Sequence, residues 1–345
     1  MTWIALTNPA DGRFRVAKGT AETSLSCGTL VAEARPTIGA DGETLLSLQA
    51  PFRSSLRLRV LPNAAFAVVR SSGQQSDTSS IEWPDQDPPN VIRFSYAWDK
   101  DLNWARIALQ DNLGRTVVFK ETMCHGPFDL ALLHSAAGRL SDNMISCAIS
   151  DAIEPIGPLP TLHGETPILT PDGFQPARRL KRGDLVVTAD GQSVPVLHRI
   201  QQSMPNIGSW RAVKIRAPYL GLESDLIAAP HQTVVIRGVE VEYLFGKEAV
   251  LVPVSHLTTG NIADYDRTKN LIDYVQLVLP RHSVLQTAGA QVDSQFVGRC
   301  RRKQDLLPHS VFRDVDRNSL PEHAGLGYPI LRPYEAISLF DKRAA

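Results

Sequence analysis

Residues 162–190 read LHGETPILTPDGFQPARRLKRGDLVVTAD. Pro171, Asp172 and Gly173 are turn-forming residues, and Arg182, Gly183 and Asp184 are a second such group. Proline presets φ, glycine reaches positive φ, and aspartate bonds its own backbone, so each group predicts a tight reversal. Apolar positions with a period of two flank the first turn, and the run Leu185–Val187 follows the second. That alternation predicts short β-strands. The order is strand, TPDG turn, polar connector, GD turn, strand.

Three further blocks follow. They are ESDLIAAPHQTVVI (223–236), LFGKEAVLVPVSHL (244–257) and DYVQLVLPRHSVLQTAGAQVDSQFVG (273–298). With the opening stretch, these blocks resemble in order the Hint domain, the Hedgehog/intein fold, in the form found at the end of longer bacterial chains. The resemblance covers about residues 161–298 and says nothing about residues 1–150. It implies an all-β Hint fold and self-processing in place of ordinary turnover, with at most one event per chain. A nucleophile at the first position attacks the carbonyl before it, and an N-to-O or N-to-S acyl shift makes that bond cleavable. A hydroxyl residue and a histidine in the second block bind and protonate the departing nitrogen, and an Asp or His in the closing block moves protons.

Counting back from the TPDG turn places the nucleophile position on Thr161, with Glu165 where glycine is usual and Thr166 and Ile168 matching. A secondary hydroxyl is a far weaker nucleophile than a thiolate at neutral pH. In the second block the hydroxyl position is Ala229 and the imidazole position is Gln232; His231 stands one residue early. One residue of shift along a strand turns a side chain to the opposite face, so His231 serves only if a bulge re-aims it. In the closing block the proton-carrying position is Gln276, whereas Arg281 and His282 match. The candidate catalytic residues are therefore Thr161, His231 and His282, in a centre expected to be degenerate. Each also has an ordinary reading: Thr161 as an extended residue, His231 as a surface imidazole, His282 as a structural support. His256 in PVSHL matches the family too and is expected to pack its turn. No His-Asn pair closes the domain, so splicing is not expected.

The remainder of the chain is read from the residues. The 345-residue length suits two domains. Runs at 57–60, 65–70, 91–98, 105–109 and 116–120 are β-prone and separated by turns. Ile92, Phe94, Tyr96 and Trp98 alternate with Arg93 and Ser95, which predicts a half-buried antiparallel strand. Residues 1–150 are thus expected to form an antiparallel β-sandwich. Within it, RFSYAWDKDLNWARIALQDNLGRTVVF distantly resembles a laminin-G or concanavalin-type lectin sandwich. That resemblance implies a carbohydrate or protein ligand, with Asp99, Asp101, Asn103, Trp98 and Trp104 as candidate contacts; buried aromatics and a polar hairpin loop are the plainer alternatives. Residues 128–142 are compatible with a helix. Residues 151–160 hold three prolines and a glycine and read as an extended linker. Residues 299–345 form a tail with a basic run, RCRRKQD, and a short helix from about Pro333.

Formal net charge is +0, which offers no bulk field for nucleic acid or an anionic membrane. No apolar run is long enough to span a bilayer, and the first residues lack a classical signal, so the expected compartment is the cytoplasm or, by non-classical export, outside the cell. Cys27, Cys124, Cys147 and Cys300 form no CxxC pair, so neither a metal site nor a disulfide framework is expected. No cofactor is expected. The substrate implied is the chain's own upstream segment.

Overall fold

The computed structural model describes residues 3–7, 13–16, 23–37, 41–50, 54–72, 75–84, 89–111, 114, 116–124, 126–133, 139–258 and 261–344. The fold is all-β. The chain divides into two compact units, Met1–Gly157 and Pro158–Ala345.

The first unit pairs a seven-stranded sheet with a five-stranded one. The larger runs in the order Val117–Thr122, Trp104–Asp111, Ile92–Asp99, Cys27–Ala34, Met144–Ser150, Trp3–Thr7, Phe14–Val16; the smaller runs Arg139–Leu140, Glu43–Gln49, Ser55–Val60, Ala65–Ser72, Gln75–Glu82. Pairing is antiparallel throughout. Inward residues of both sheets form one core that includes Leu30, Leu46, Leu58, Phe66, Phe94, Trp98 and Ile149. Gly28 lies opposite Trp98 in the ladder. A Cβ there would sit 2.6 Å from both the Trp98 ring and the Ser150 carbonyl oxygen, so only glycine leaves room for the indole.

The strand Ile92–Asp99 departs from the half-buried expectation: Arg93 and Ser95 are buried along with the apolar residues. The segment after the last strand supplies one reason. The Arg106 Nη2 donates to the Glu154 carbonyl at 2.8 Å, and the Gly157 N–H donates to Gln110 Oε1 at 2.7 Å. The Thr29 hydroxyl donates to the Ala152 carbonyl at 2.7 Å and accepts from the Glu154 N–H at 2.9 Å. Residues 151–157 therefore form no strand but are strapped across the polar face of the larger sheet. Backbone groups left without a ladder partner are satisfied by that face.

The expected helix at 128–142 is not formed as such. Leu130–Leu133 is a single 3₁₀ turn, and residues 134–138 lie outside the described residues.

In the second unit, a six-stranded sheet runs His198–Pro205, Leu271–Val278, Leu162–His163, Leu226–Ala228, Val213–Ile215, Ala263–Tyr265, and a four-stranded sheet runs Ala249–Pro253, Thr233–Arg237, Gln291–Asp293, Val284–Gln286. The TPDG turn joins the hairpin strands Pro167–Thr170 and Gly173–Pro176, and the GD turn precedes Leu185–Val187, which pairs with Ser193–Pro195. Both turn glycines have positive φ, 105° and 93°. The tail packs on these sheets. Cys300, Leu307, Phe312 and Leu320 join Ile200, Val278 and Val297 in one apolar cluster, and the helix Pro333–Ala344 buries Ala336 and Leu339 in the main core of the unit. Among the described residues no helix is long and apolar enough to cross a membrane.

Candidate functional site

Leu162 lies between two strands of the six-stranded sheet, opposite Ala228 on one side and Val275 on the other. Its register places Thr161 at the sheet centre, where the Thr161 carbonyl accepts from the Ala229 N–H at 2.7 Å. Gln276 follows Val275 on the neighbouring strand. After the Pro230–His231 turn, Gln232 opens the strand Thr233–Arg237.

These placements converge on one hydroxyl. Thr161 Oγ1 donates to Gln232 Oε1 and accepts from Gln276 Nε2 at 2.9 Å; the same Gln276 nitrogen lies 2.9 Å from Gln232 Oε1. All three residues are buried. The side chain reaching Thr161 is that of Gln232. His231, one residue earlier, lies half-buried in the turn, as the alternation of a strand leads one to expect.

Asp293, which sequence reasoning missed, lies beneath Gln232. Its Oδ1 accepts from the Gln232 amide, from the Thr233 hydroxyl at 2.7 Å and from the Thr233 N–H at 3.3 Å. With Gln232 Nε2 held there, Gln232 Oε1 must face Thr161. The other Asp293 oxygen lies 3.4 Å from His282 Nε2, within ion-pair distance but without hydrogen-bond alignment. His282 is thus one residue removed from the hydroxyl network. Its ring stacks at 6.0 Å on His323, a tail residue that sequence reasoning also missed, and packs at 5.1 Å on Phe296.

Chemically, the Thr161 hydroxyl is enclosed by two carboxamides. A carboxamide oxygen does not take up a proton near neutral pH, and its nitrogen does not release one. The hydroxyl is held in place without a base to ionise it. Ala229 contributes no hydroxyl toward the nitrogen of the Pro160–Thr161 bond. His256 lies in the 3₁₀ turn Val254–Leu257, and burial pushes its imidazole below the usual range.

In the first unit, Trp98 is fully buried and cannot face a ligand. Asp99 Oδ1 accepts the backbone N–H groups of Asp101 and Leu102, both at 3.0 Å, and Asn103 takes positive φ, so the loop is a side-chain-capped hairpin turn. Trp104 Nε1 donates to Glu121 Oε1 at 2.6 Å. In the tail, Arg301 and Arg302 both pair with Glu322 and hold its carboxyl down to about 2. That pairing accounts for much of the basic run. Among the described residues no group of three or more His, Cys, Asp or Glu is placed to hold a metal ion.

Burial is the leading cause that lowers the imidazole pKa of His163, His198, His256 and His323. A histidine whose folded pKa is depressed binds fewer protons folded than unfolded. Its stabilising contribution is complete above the ordinary value of about 6.5 and is lost as pH falls through the folded value. Thermal melts should therefore give a lower Tm at pH 5 than at pH 7.5, with part of the difference removed by His323→Phe. Equal Tm values at the two pH values would contradict the lowered pKa of these partly buried rings.

Residues 160–299 match the Hint domain family, so a Hint domain is present over that stretch. No curated protein matches the chain. Among solved structures, similarity is found to the CBM40 of the Ruminococcus gnavus IT-sialidase bound to α2,3-sialyllactose, at 10% identity and a TM-score of 0.27, covering 42% of this chain and 72% of that one. A second structure of that module, at 12% identity and a TM-score of 0.25, is spanned over 64% of its length and covers 36% of this chain. The full-length tailspike protein 2 of an Escherichia coli O157:H7 bacteriophage, at 9% identity and a TM-score of 0.26, is spanned over 24% of its length and covers 45% of this chain.

Proposed function

We propose that the chain is a self-processing Hint protein whose reaction has been silenced at the Thr161 centre. The reaction class is an N-to-O acyl shift on its own backbone. Thr161 Oγ would attack the Pro160 carbonyl carbon, the bond to the Thr161 nitrogen would break, and that nitrogen would leave as an amine carrying the hydroxyl proton. The product would be an ester open to a second nucleophile. The observation that carries the reading is the pair of carboxamides on the Thr161 hydroxyl, Gln232 and Gln276. Both stand where the family's proton-carrying groups are needed, and neither exchanges protons near pH 7.

The test is the intact mass of the purified chain over several days, with and without dithiothreitol. A single species at full mass is expected in both. Release of a fragment ending at Pro160 would overturn the silent reading, since Thr161 would then react without a base.

A second reading makes the N-terminal sandwich the working part, binding carbohydrate or a protein partner, with the Hint domain as its scaffold. It is supported by the fixed turn after Asp99, which leaves Leu102 75% exposed beside Trp104. Specific signal on a glycan array would favour it, and a blank array would count against the carbohydrate version.

A further inference from the structure

We propose that the segment following the Hint domain controls the Thr161 centre through His323, which seats the His282 ring against the Asp293 carboxylate. This rests on the reading of Thr161 as the reactive centre, and it makes His323 and Asp293 positioning residues of that centre.

The starting point is an oddity at His282. Its ring is 7% exposed, yet neither of its nitrogens makes a hydrogen bond. A buried imidazole without hydrogen bonds depends on packing and on its 3.4 Å approach to Asp293, and polar groups in that condition call for an explanation. Phe296 and His323 supply the packing.

His323, by contrast, is fully tied down. Its backbone N–H donates to the Gly298 carbonyl at 3.0 Å. Its Nδ1 accepts from the Val297 N–H at 3.3 Å, which leaves Nε2 to carry the proton and donate to the Leu279 carbonyl at 2.9 Å. The tautomer is thereby set, and the ring is a fixed neutral platform. The tail holds it there through Glu322 on Arg301 and Arg302 and through buried Phe312 and Leu320.

From the platform, contacts run without a gap to the hydroxyl. His323 stacks on His282, and His282 Nε2 faces Asp293 Oδ2. Asp293 Oδ1 fixes the Gln232 amide, whose oxygen takes the Thr161 proton in a hydrogen bond. Moving His282 changes the surroundings of one Asp293 oxygen while the other orients Gln232. Packed and hydrogen-bonded contacts of this kind transmit a coupling between sites when they have two arrangements.

The test uses the full chain and does not require cleavage. The side-chain amide signals of Gln232 and the ring signals of His282 are followed by ¹H–¹⁵N NMR in wild type, His323→Leu and His323→Phe. Loss of the signals in Gln232→Glu and His282→Gln assigns them. His323→Leu keeps bulk but removes the ring and both ring hydrogen bonds, so it should shift both sets of signals. His323→Phe keeps the stacked ring and should return them most of the way toward wild type. A merely structural role for His323 would leave the distant Gln232 amide unmoved. A folded His323→Leu chain with unchanged Gln232 signals would overturn the proposal. In a chain whose reactive groups have been restored, His323→Leu should slow cleavage about tenfold. If that restored chain is never cut while the Gln232 signals still respond to His323, the Thr161 reading falls and the tail's control of the Asp293–Gln232 pair stands.

Discussion

Thr161→Cys combined with Ala229→Ser, Gln232→His and Gln276→His is expected to cut its own chain between Pro160 and position 161 in dithiothreitol, while wild type stays whole. The structure gives each change a reason. A thiol at position 161 ionises near neutral pH, where a threonine hydroxyl does not. Position 229 donates its backbone N–H to the Thr161 carbonyl, so a hydroxyl there stands beside the bond to be broken. Position 232 already places a side chain on the Thr161 hydroxyl at one end and on Asp293 at the other. An imidazole there would find a nucleophile on one nitrogen and an orienting carboxylate on the other. Position 276 adds the second proton carrier. General acid–base catalysis is typically worth about 10²- to 10⁴-fold. Groups that act as a unit are non-additive, so each single change should do little alone. Intact mass spectrometry over hours to days reads the result. A folded quadruple variant that stays uncut would mean that these positions are not the reactive set.

Trp98→Ala is expected to destabilise the N-terminal unit by about 3–5 kcal/mol, the usual range for deleting a buried large aromatic. The indole is 0% exposed, lies 5.2 Å from the Phe128 ring and 5.8 Å from the Tyr96 ring, and donates to the Leu25 carbonyl at 3.2 Å. Gly28 leaves no adjustable side chain beside it, so the void cannot close from that strand. Urea denaturation followed by hydrogen exchange within residues 1–157 measures the loss. A change under about 1 kcal/mol would show that the site collapses around the missing ring, which fixed backbone at Gly28 should prevent.

The Hint register was legible because turns mark it. The TPDG turn pins one hairpin and the GD turn another; counting back from the first gives Thr161, and the second and closing blocks give Gln232 and Gln276, which the fold brings into contact with it. Asp293 was not legible. It lies in QVDS, a polar tetrapeptide with no motif of its own, and reaches Gln232 only because Val292 pairs with Val234 across the sheet. His323 was hidden for a similar reason: the tail around it has no periodicity, and its place is set by hydrogen bonds to Gly298, Val297 and Leu279 and by the packing of the tail. In the sandwich, Ile92–Asp99 announced itself by alternation and Trp104–Asp111 as a β-prone run. Gln75–Glu82, with the sequence QSDTSSIE, did not, since an edge strand paired on one side with Ala65–Ser72 needs little apolar surface. Burial of Arg93 and Ser95 was unreadable from their own strand, because part of what covers that face arrives from residues 151–157.

That strap also fixes what a cut at Pro160 would leave behind. Its last anchor to the larger sheet is the Gly157 N–H on Gln110, just before the bond in question. A released N-terminal product would keep the strap of residues 151–157 on that face and would end in residues 158–160, which belong to the second compact unit. Chemistry restored at position 161 would therefore work as a release catch that frees the N-terminal unit with its strap in place.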